Sequence, residues 1–323
     1  MVTLEQIRAA RERLHGVALR TALIPCPHQD SSRQLFFKPE NLQPIGAFKL
    51  RGAYNKIATL TDAERRRGVI TYSSGNHAQG VAYAARALGT RAVVVMPRTA
   101  PPRKIESTRS LGAEVVLVGP SSLERFEKAE ALAAEHGYVV VPPYDDPEII
   151  AGQGTIGLEI LEDLPEVETV LVPIGGGGLI SGISTALKQS RPGIRVIGVE
   201  PALAADAQAS FREGRIVKLP AEQVSQTMAD GLRAMWVGDL TFEHMRQYVD
   251  DVVTVSEQEI LDAMRLMALN TRLVAEPSGV VTFAAFLFRA QELPSTRLNV
   301  AVISGGNVDP ALLAKALMAD HSG

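Results

Sequence analysis

The 323-residue chain has a single cysteine, Cys26, which excludes a disulfide framework and any multi-cysteine metal site. Aromatic residues amount to 5%, too few for a base-stacking platform or a sugar-binding groove. Neither sign of charge is in excess: 33 Lys and Arg stand against 36 Asp and Glu, a net of −3. A nucleic-acid protein needs a basic field to neutralise phosphates, so no nucleic-acid partner is expected. No run reaches the ~18 uncharged apolar residues of a membrane span, so no membrane partner is expected either. The first residues, MVTLEQIRAARERL, read as a charged amphipathic helix and not as a secretion signal. With one cysteine, this points to a reducing, cytoplasmic compartment. Solenoid repeats and low-complexity tracts are also missing.

What is present is a large apolar fraction, 46%, enough for a full core, in a length that suits one or two domains. Short β-branched runs alternate with helical stretches. Strands are predicted at 68–72, 91–96, 114–118 and 138–141, with helices over 78–88, 104–111 and 122–136 between them. Continuous apolar strands of this kind are covered on both faces, the mark of a parallel sheet in an α/β fold. The alternation restarts after Pro142 and Pro143. Helices are expected at 147–161 and 179–188, strands at 169–174, 195–199, 251–255 and 298–303. Ser256 and Glu259 form a capping-box signature for a helix beginning there. Two α/β units follow, and the first ~50 residues, which precede the clean alternation, are assigned to the second.

Three turns where strands end lack bulky side chains: Ser73–His77, Gly175–Gly178 and Ser304–Asn307. Ligands of open α/β sheets bind outside the carboxyl ends of strands, and helix N-termini attract anions. Four consecutive glycines carry an entropic cost, so either a tight turn or a phosphate cradle of main-chain N–H groups must explain them. They are not a dinucleotide fingerprint, because offset 5 is Ile180 from Gly175 and Ser181 from Gly176. Ser73–His77 suits a carboxylate or plain N-capping. Lys49 lies among Gly46, Ala47, Phe48, Leu50 and Gly52. An ammonium so surrounded is desolvated, which favours the neutral amine that a Schiff base requires.

Five segments in order make the chain resemble the pyridoxal-phosphate enzymes of fold type II, in the serine/threonine dehydratase and serine racemase branch. They are Gly46–Ala53, Ser73–Gly80, Ile150–Thr155, Gly175–Leu179 and Ser304–Asn307. The resemblance implies two open twisted sheets, mostly parallel and flanked by helices, as in a tryptophan synthase β-like fold. It implies a large cofactor-binding domain of residues 1–53 plus 143–323 and a small substrate-binding domain of residues 54–142. Lys49 would hold pyridoxal 5′-phosphate covalently, with Phe48 packed beside the ring and Asn76 on the ring hydroxyl. The main-chain N–H groups of Gly175, Gly176, Gly177, Gly178 and Leu179 would hold the phosphate, and Ser304 would meet the ring nitrogen. Ser73, Ser74, Asn76 and His77 would bind the substrate carboxylate.

A serine at the ring nitrogen cannot keep it protonated as a carboxylate would. The cofactor is then a weaker electron sink, which favours expulsion of a β-leaving group over transamination. The implied activity is loss of water from a 3-hydroxy amino acid of the L-threonine or L-serine type, giving a 2-keto acid and ammonia. Ser74 keeps a serine racemase with side dehydratase activity open, since racemases place an acid/base there and many threonine dehydratases carry alanine. Hydroxyaspartate or phenylserine are alternative substrates, with Arg233 and Trp236 as candidate residues at the mouth. Glu200, Ala204 through its carbonyl and Asp206 have the branch's spacing for a divalent cation, and all-oxygen ligands suit Mg²⁺, Mn²⁺ or Ca²⁺. The short stretch after Asn307 leads us to expect no regulatory domain, and the family implies a homodimer. Cys26, between two prolines, reads as structural. A nucleotide-linked dehydrogenase and a catalytically silent binding protein are the readings from other classes.

Overall fold

A computed structural model describes residues 1–27, 31–73, 75–100, 102–119 and 122–318. Its strands are β1 (Ile24–Pro25), β2 (Gln34–Pro39), β3 (Val69–Tyr72), β4 (Ala92–Pro97) and β5 (Glu114–Val118), then β6 (Val139–Val140), β7 (Thr169–Pro173), β8 (Arg195–Pro201), β9 (Asp251–Val255) and β10 (Leu298–Ile303). They form two sheets, six-stranded β1-β2-β10-β7-β8-β9 and four-stranded β5-β4-β3-β6. The β1–β2 pair is antiparallel and every other pair is parallel. β2 runs beside β10 in the register Leu298 to Gln34 through Ile303 to Pro39, so the N-terminal segment belongs to the larger sheet.

Alternate residues of the larger sheet feed two cores, as a strand's period of two requires. Val170, Val172, Val300 and Val302 face the helices Pro147–Asp163, Gly178–Ser190 and Asp239–Tyr248. Leu35, Phe37, Leu171, Ala301 and Ile303 face the helices Glu257–Thr271 and Pro277–Phe288. In the smaller sheet, Val69, Val94 and Met96 pack on the helices Lys49–Ala58 and Asn76–Ala87, while Ile70, Val93 and Val95 pack on Ser122–His136. Both sheets are therefore sandwiched, which is why their strands read as unbroken apolar runs.

Two differences from the expected boundaries have physical causes. Gly68 caps the helix Asp62–Arg67 at φ +99°, a conformation glycine tolerates, so the strand begins at Val69. The helix expected from Ala78 starts at Asn76, which takes Asn76 and His77 into its first turn. The Ser256–Glu259 capping box is formed as expected. Among the described residues no helix is long and apolar enough to cross a membrane.

Candidate active site

The turns after β3 and β10 meet through Asn76 and Asn307, and the segment before Lys49 is stitched to the second of them. Ala47 forms an isolated bridge with Gly305, Phe48 N–H donates to Ser304 O at 3.1 Å, and Gly306 N–H donates to Gly46 O at 2.9 Å. Gly46 sits at φ +71°, where a Cβ would come within 2.5 Å of Asn307 Oδ1. This stitching places Lys49, the first residue of its helix, beside Ser304.

Lys49 Nζ donates to Pro143 O at 2.6 Å and lies 5.1 Å from the centre of the Phe48 ring. Among the described residues no carboxylate pairs with it in that position, and burial lowers its pKa to about 8. An amine with a neutral acceptor and a desolvated setting is poised as a nucleophile or base. Close approach of the helix Asn76–Ala87 is allowed by Gly80, whose Cβ would lie 3.0 Å from Lys49 O.

Tyr144 follows Pro143 and lies across the glycine turn. A Cβ at Gly176 would meet its ring at 2.2 Å, and one at Gly178 would meet its Cα at 3.0 Å. Gly177 is left-handed at φ +92°, with Thr241 2.8 Å from where its Cβ would be. The helix ladder starts with Ser181 N–H on Gly177 O at 3.0 Å, so the N–H groups of Gly178, Leu179 and Ile180 precede it. Here a glycine is needed at each close approach, and the donors fit a phosphate. Sequence reasoning missed Tyr144, whose only signal was its place between Pro143 and the acidic pair Asp145–Asp146.

At Asn76–Ala87 the ladder begins with Gln79 N–H on Gly75 O at 3.4 Å, so the N–H groups of Asn76, His77 and Ala78 also precede it. His77 Nε2 donates to Val141 O at 2.9 Å, the only sense possible with a carbonyl, and its ring is buried. Burial, then the nearby Lys49, lowers its pKa to about 3, so the imidazole is neutral at working pH. Its Nε2–H is thus committed to the fold, its Nδ1 is a buried acceptor with no partner among the described residues, and its main-chain N–H is the donor that remains. Ser73 Oγ accepts from Gly75 N–H at 3.3 Å, and Ser74 lies outside the described residues. Ser304 is buried and its Oγ donates to Ser278 O at 3.3 Å.

Glu200, Ala204 and Asp206 are fully buried at the end of β8. Glu200 accepts N–H bonds from Ala207 at 3.1 Å and Gln208 at 2.8 Å, whereas both Asp206 carboxylate oxygens are buried without a partner. Burial holds Asp206 up at about 7 and, with Asp206 alongside, raises Glu200 well above the usual carboxylate range. Orphaned buried oxygens of this kind fit a hard cation. Among the described residues no three His, Cys, Asp or Glu side chains converge on a metal, so two carboxylates are the most such a site has. Arg233 turns back on Thr227 O (2.9 Å from Nε, 2.5 Å from Nη2), and Trp236 lies under Lys218 Nζ at 4.5 Å. Neither is joined to Lys49 or the glycine turn by a described contact. Cys26 packs at the margin of the larger core.

The family model for pyridoxal-phosphate dependent enzymes matches residues 16–305. The chain belongs to that family. It is 46% identical to the L-threonine ammonia-lyase of Thermotoga maritima over 319 residues, 98% of this chain and 78% of that protein. It is 41% identical to the L-threo-3-hydroxyaspartate ammonia-lyase of Saccharomyces cerevisiae over 290 residues, covering 90% and 88%. The structure of maize serine racemase superposes with a TM-score of 0.93 at 39% identity, covering 98% of this chain and 97% of that one. The fold is therefore type II, and the cofactor is pyridoxal phosphate. Because Lys49 is lowered to about 8, its neutral fraction grows with pH. The rate at which the apoprotein captures pyridoxal phosphate should accordingly rise from about pH 6 and level off above about pH 8. A stopped-flow pH series that stays flat over this range would refute the shift.

Proposed function

We propose that this protein removes water from a 3-hydroxy amino acid of the L-threonine or L-serine type and releases a 2-keto acid and ammonia. The observation that carries this reading is a desolvated Lys49 amine held by the neutral Pro143 O, with Phe48 N–H bonded to Ser304 O on one side and Tyr144 lying on the glycine turn on the other. The cofactor, when bound, supplies an electron sink for the bond broken at Cα. In our reading Lys49 anchors it, Gly175, Gly176, Gly177, Gly178 and Leu179 hold its phosphate, and Phe48 flanks the ring. Asn76 faces the ring hydroxyl. Ser304 would turn its hydroxyl from Ser278 O to the ring nitrogen, where a serine cannot keep that nitrogen protonated. The first turn of Asn76–Ala87, with Ser73 and Ser74, binds the substrate carboxylate through N–H groups and hydroxyls; His77 contributes its main chain. Once the substrate's own amine has displaced it, the freed Lys49 amine would take the proton from Cα, and the β-hydroxyl would accept a proton and depart as water. The released enamine becomes an imine, which water hydrolyses to the keto acid and ammonia.

The likeness to maize serine racemase supports a second reading, in which Ser74 returns a proton from the opposite face and the substrate is racemised. The yeast relative supports a hydroxyaspartate substrate. Assays of ammonia and keto acid on L-threonine, L-serine, D-serine, hydroxyaspartate and phenylserine, with chiral analysis of residual serine, test these together. We expect ammonia from L-threonine or L-serine. Serine racemised faster than it is consumed would favour the second reading, and no ammonia from any of them would end the first.

We place the cofactor on residues 1–53 plus 143–323 and the substrate carboxylate on 54–142, and we place the protein in the cytoplasm as a homodimer on the resemblance. We also propose that Glu200, Ala204 O and Asp206 bind Mg²⁺, Mn²⁺ or Ca²⁺. A cation at about a hundredfold its Kd would stabilise the fold by about 2.7 kcal/mol. Chelation should therefore lower the melting temperature and Ca²⁺ restore it, an effect lost in Asp206→Ala. Melting that ignores both treatments would remove the site.

A further inference from the structure

Three segments meet behind Ser304. Asn76 begins one helix, Glu276 is the residue before the helix Pro277–Phe288, and Asn307 follows β10. Asn76 Nδ2 donates to Glu276 Oε1 at 2.6 Å, and Asn307 Nδ2 donates to Asn76 Oδ1 at 2.8 Å. Asn307 Nδ2 also donates to Ile45 O at 2.8 Å, and Glu276 N–H donates to Gly305 O at 3.0 Å. Gly305 leaves room for the contact: a Cβ there would lie 2.3 Å from Glu276 Oε1 and 3.1 Å from Asn76 Nδ2. Glu276 is only 3% exposed.

An amide has two faces that differ only in which atom donates. At Asn76 both ends are decided. A flipped amide would set its oxygen against the Glu276 oxygen and its NH₂ against the NH₂ of Asn307, two repulsive contacts in a buried place. In the observed sense one N–H of Asn76 is used and the other has no partner among the described residues. We propose that Glu276 is a positioning residue: through the Asn76 amide it determines that the cofactor's ring oxygen meets an N–H donor and not a carbonyl. This rests on the reading that Asn76 faces the cofactor ring. A donor there favours the ionised ring oxygen. Burial, then Asp230, raises the Glu276 pKa to about 7, opposed by Asn76, Lys104 and the Asn307 backbone. In either protonation state an oxygen remains to accept from Asn76.

The test uses the holoenzyme and four proteins: wild type, Glu276→Ala, Asn76→Ala and the double variant. Two quantities are read, the dissociation constant for pyridoxal phosphate and the pH midpoint of its visible absorbance in the protein. Glu276→Ala should weaken cofactor binding about tenfold and move the midpoint upward, the size of one lost hydrogen bond. In the Asn76→Ala background the same change should add nothing. Glu276→Gln, which keeps an acceptor, should restore binding to within about threefold. Asn307→Ala frees the other end of the same amide and should move the midpoint in the same direction, which keeps the test open should Glu276→Ala not fold. Equal effects in both Asn76 backgrounds, or a Gln variant as damaged as Ala, would overturn the role of Glu276. A wild-type protein with no visible absorbance would overturn the cofactor reading itself.

Discussion

Lys49→Ala should give a colourless protein whose turnover falls at least about 10³-fold, because in the proposed reaction the covalent anchor and the base are one group. No other described lysine near the cleft can stand in. Lys38 is fully buried, with Nζ donating to Glu159 Oε2 at 2.5 Å and to Thr21 O. Lys56 is paired with Asp146 at 2.6 Å, and Lys104 is paired with Asp230. Lys49 by contrast donates to a neutral carbonyl, so its removal orphans no charge, and the variant should melt no lower than the wild-type apoprotein. Absorbance spectra before and after borohydride reduction, with an ammonia assay, check this. A coloured, active variant would exclude Lys49 as the anchor.

Arg51→Ala should be the most destabilising of the simple substitutions, by about 3–5 kcal/mol. Arg51 lies two residues beyond Lys49 on the same helix and is 1% exposed. Its guanidinium bridges Glu40 (2.8 and 2.9 Å) and Glu159 (2.6 and 2.9 Å), and it donates further to Thr155 Oγ1 at 3.1 Å and Leu19 O at 3.1 Å. Lys38 completes a cluster of two cations and two carboxylates held away from water. Removing Arg51 leaves two buried carboxylates with one cation between them, the costly way to break such a cluster. Arg51→Lys should recover only part of the loss, since an ammonium cannot present a planar fork to two carboxylates. Burial opposes ionisation of Glu40, but Arg51 and Lys38 outweigh it and its pKa is lowered. A lowered folded-state value means stability that is present at neutral pH and lost as pH falls through it. Thermal melts of the three proteins at neutral and acid pH measure this, and a wild-type-like melt of Arg51→Ala would refute the cluster's role in holding the Lys49 helix.

The sheet framework was legible because each strand is a short β-branched run bounded by a turn residue, and the cap at Ser256 is a local signal. The glycine turn was legible because four glycines are not tolerated without a reason. The helix Pro277–Phe288 was not, because ten of its residues are buried and it carries no polar face to set a period. β2 was hidden in the segment later recognised only for Lys49. The ionic cluster joins positions 38, 40, 51 and 159, whose partnership is invisible until the chain is folded. The same holds for Glu276, 200 positions from Asn76. Both are buried polar groups satisfied by distant partners, and spacing along the chain carries no trace of such pairs.

Four consecutive residues join the parts of the cleft. Pro143 O takes Lys49, Tyr144 lies on Gly176, Asp145 Oδ1 accepts from Thr241 N–H at 3.1 Å, and Asp146 caps a helix while pairing with Lys56. Each contact is made by a different residue in an unbroken row, so there is no slack to absorb a change in spacing. Variation within this strap can come by exchanging side chains but not by altering its length: one inserted or deleted residue would put the amine, the glycine turn and the helix cap out of step together.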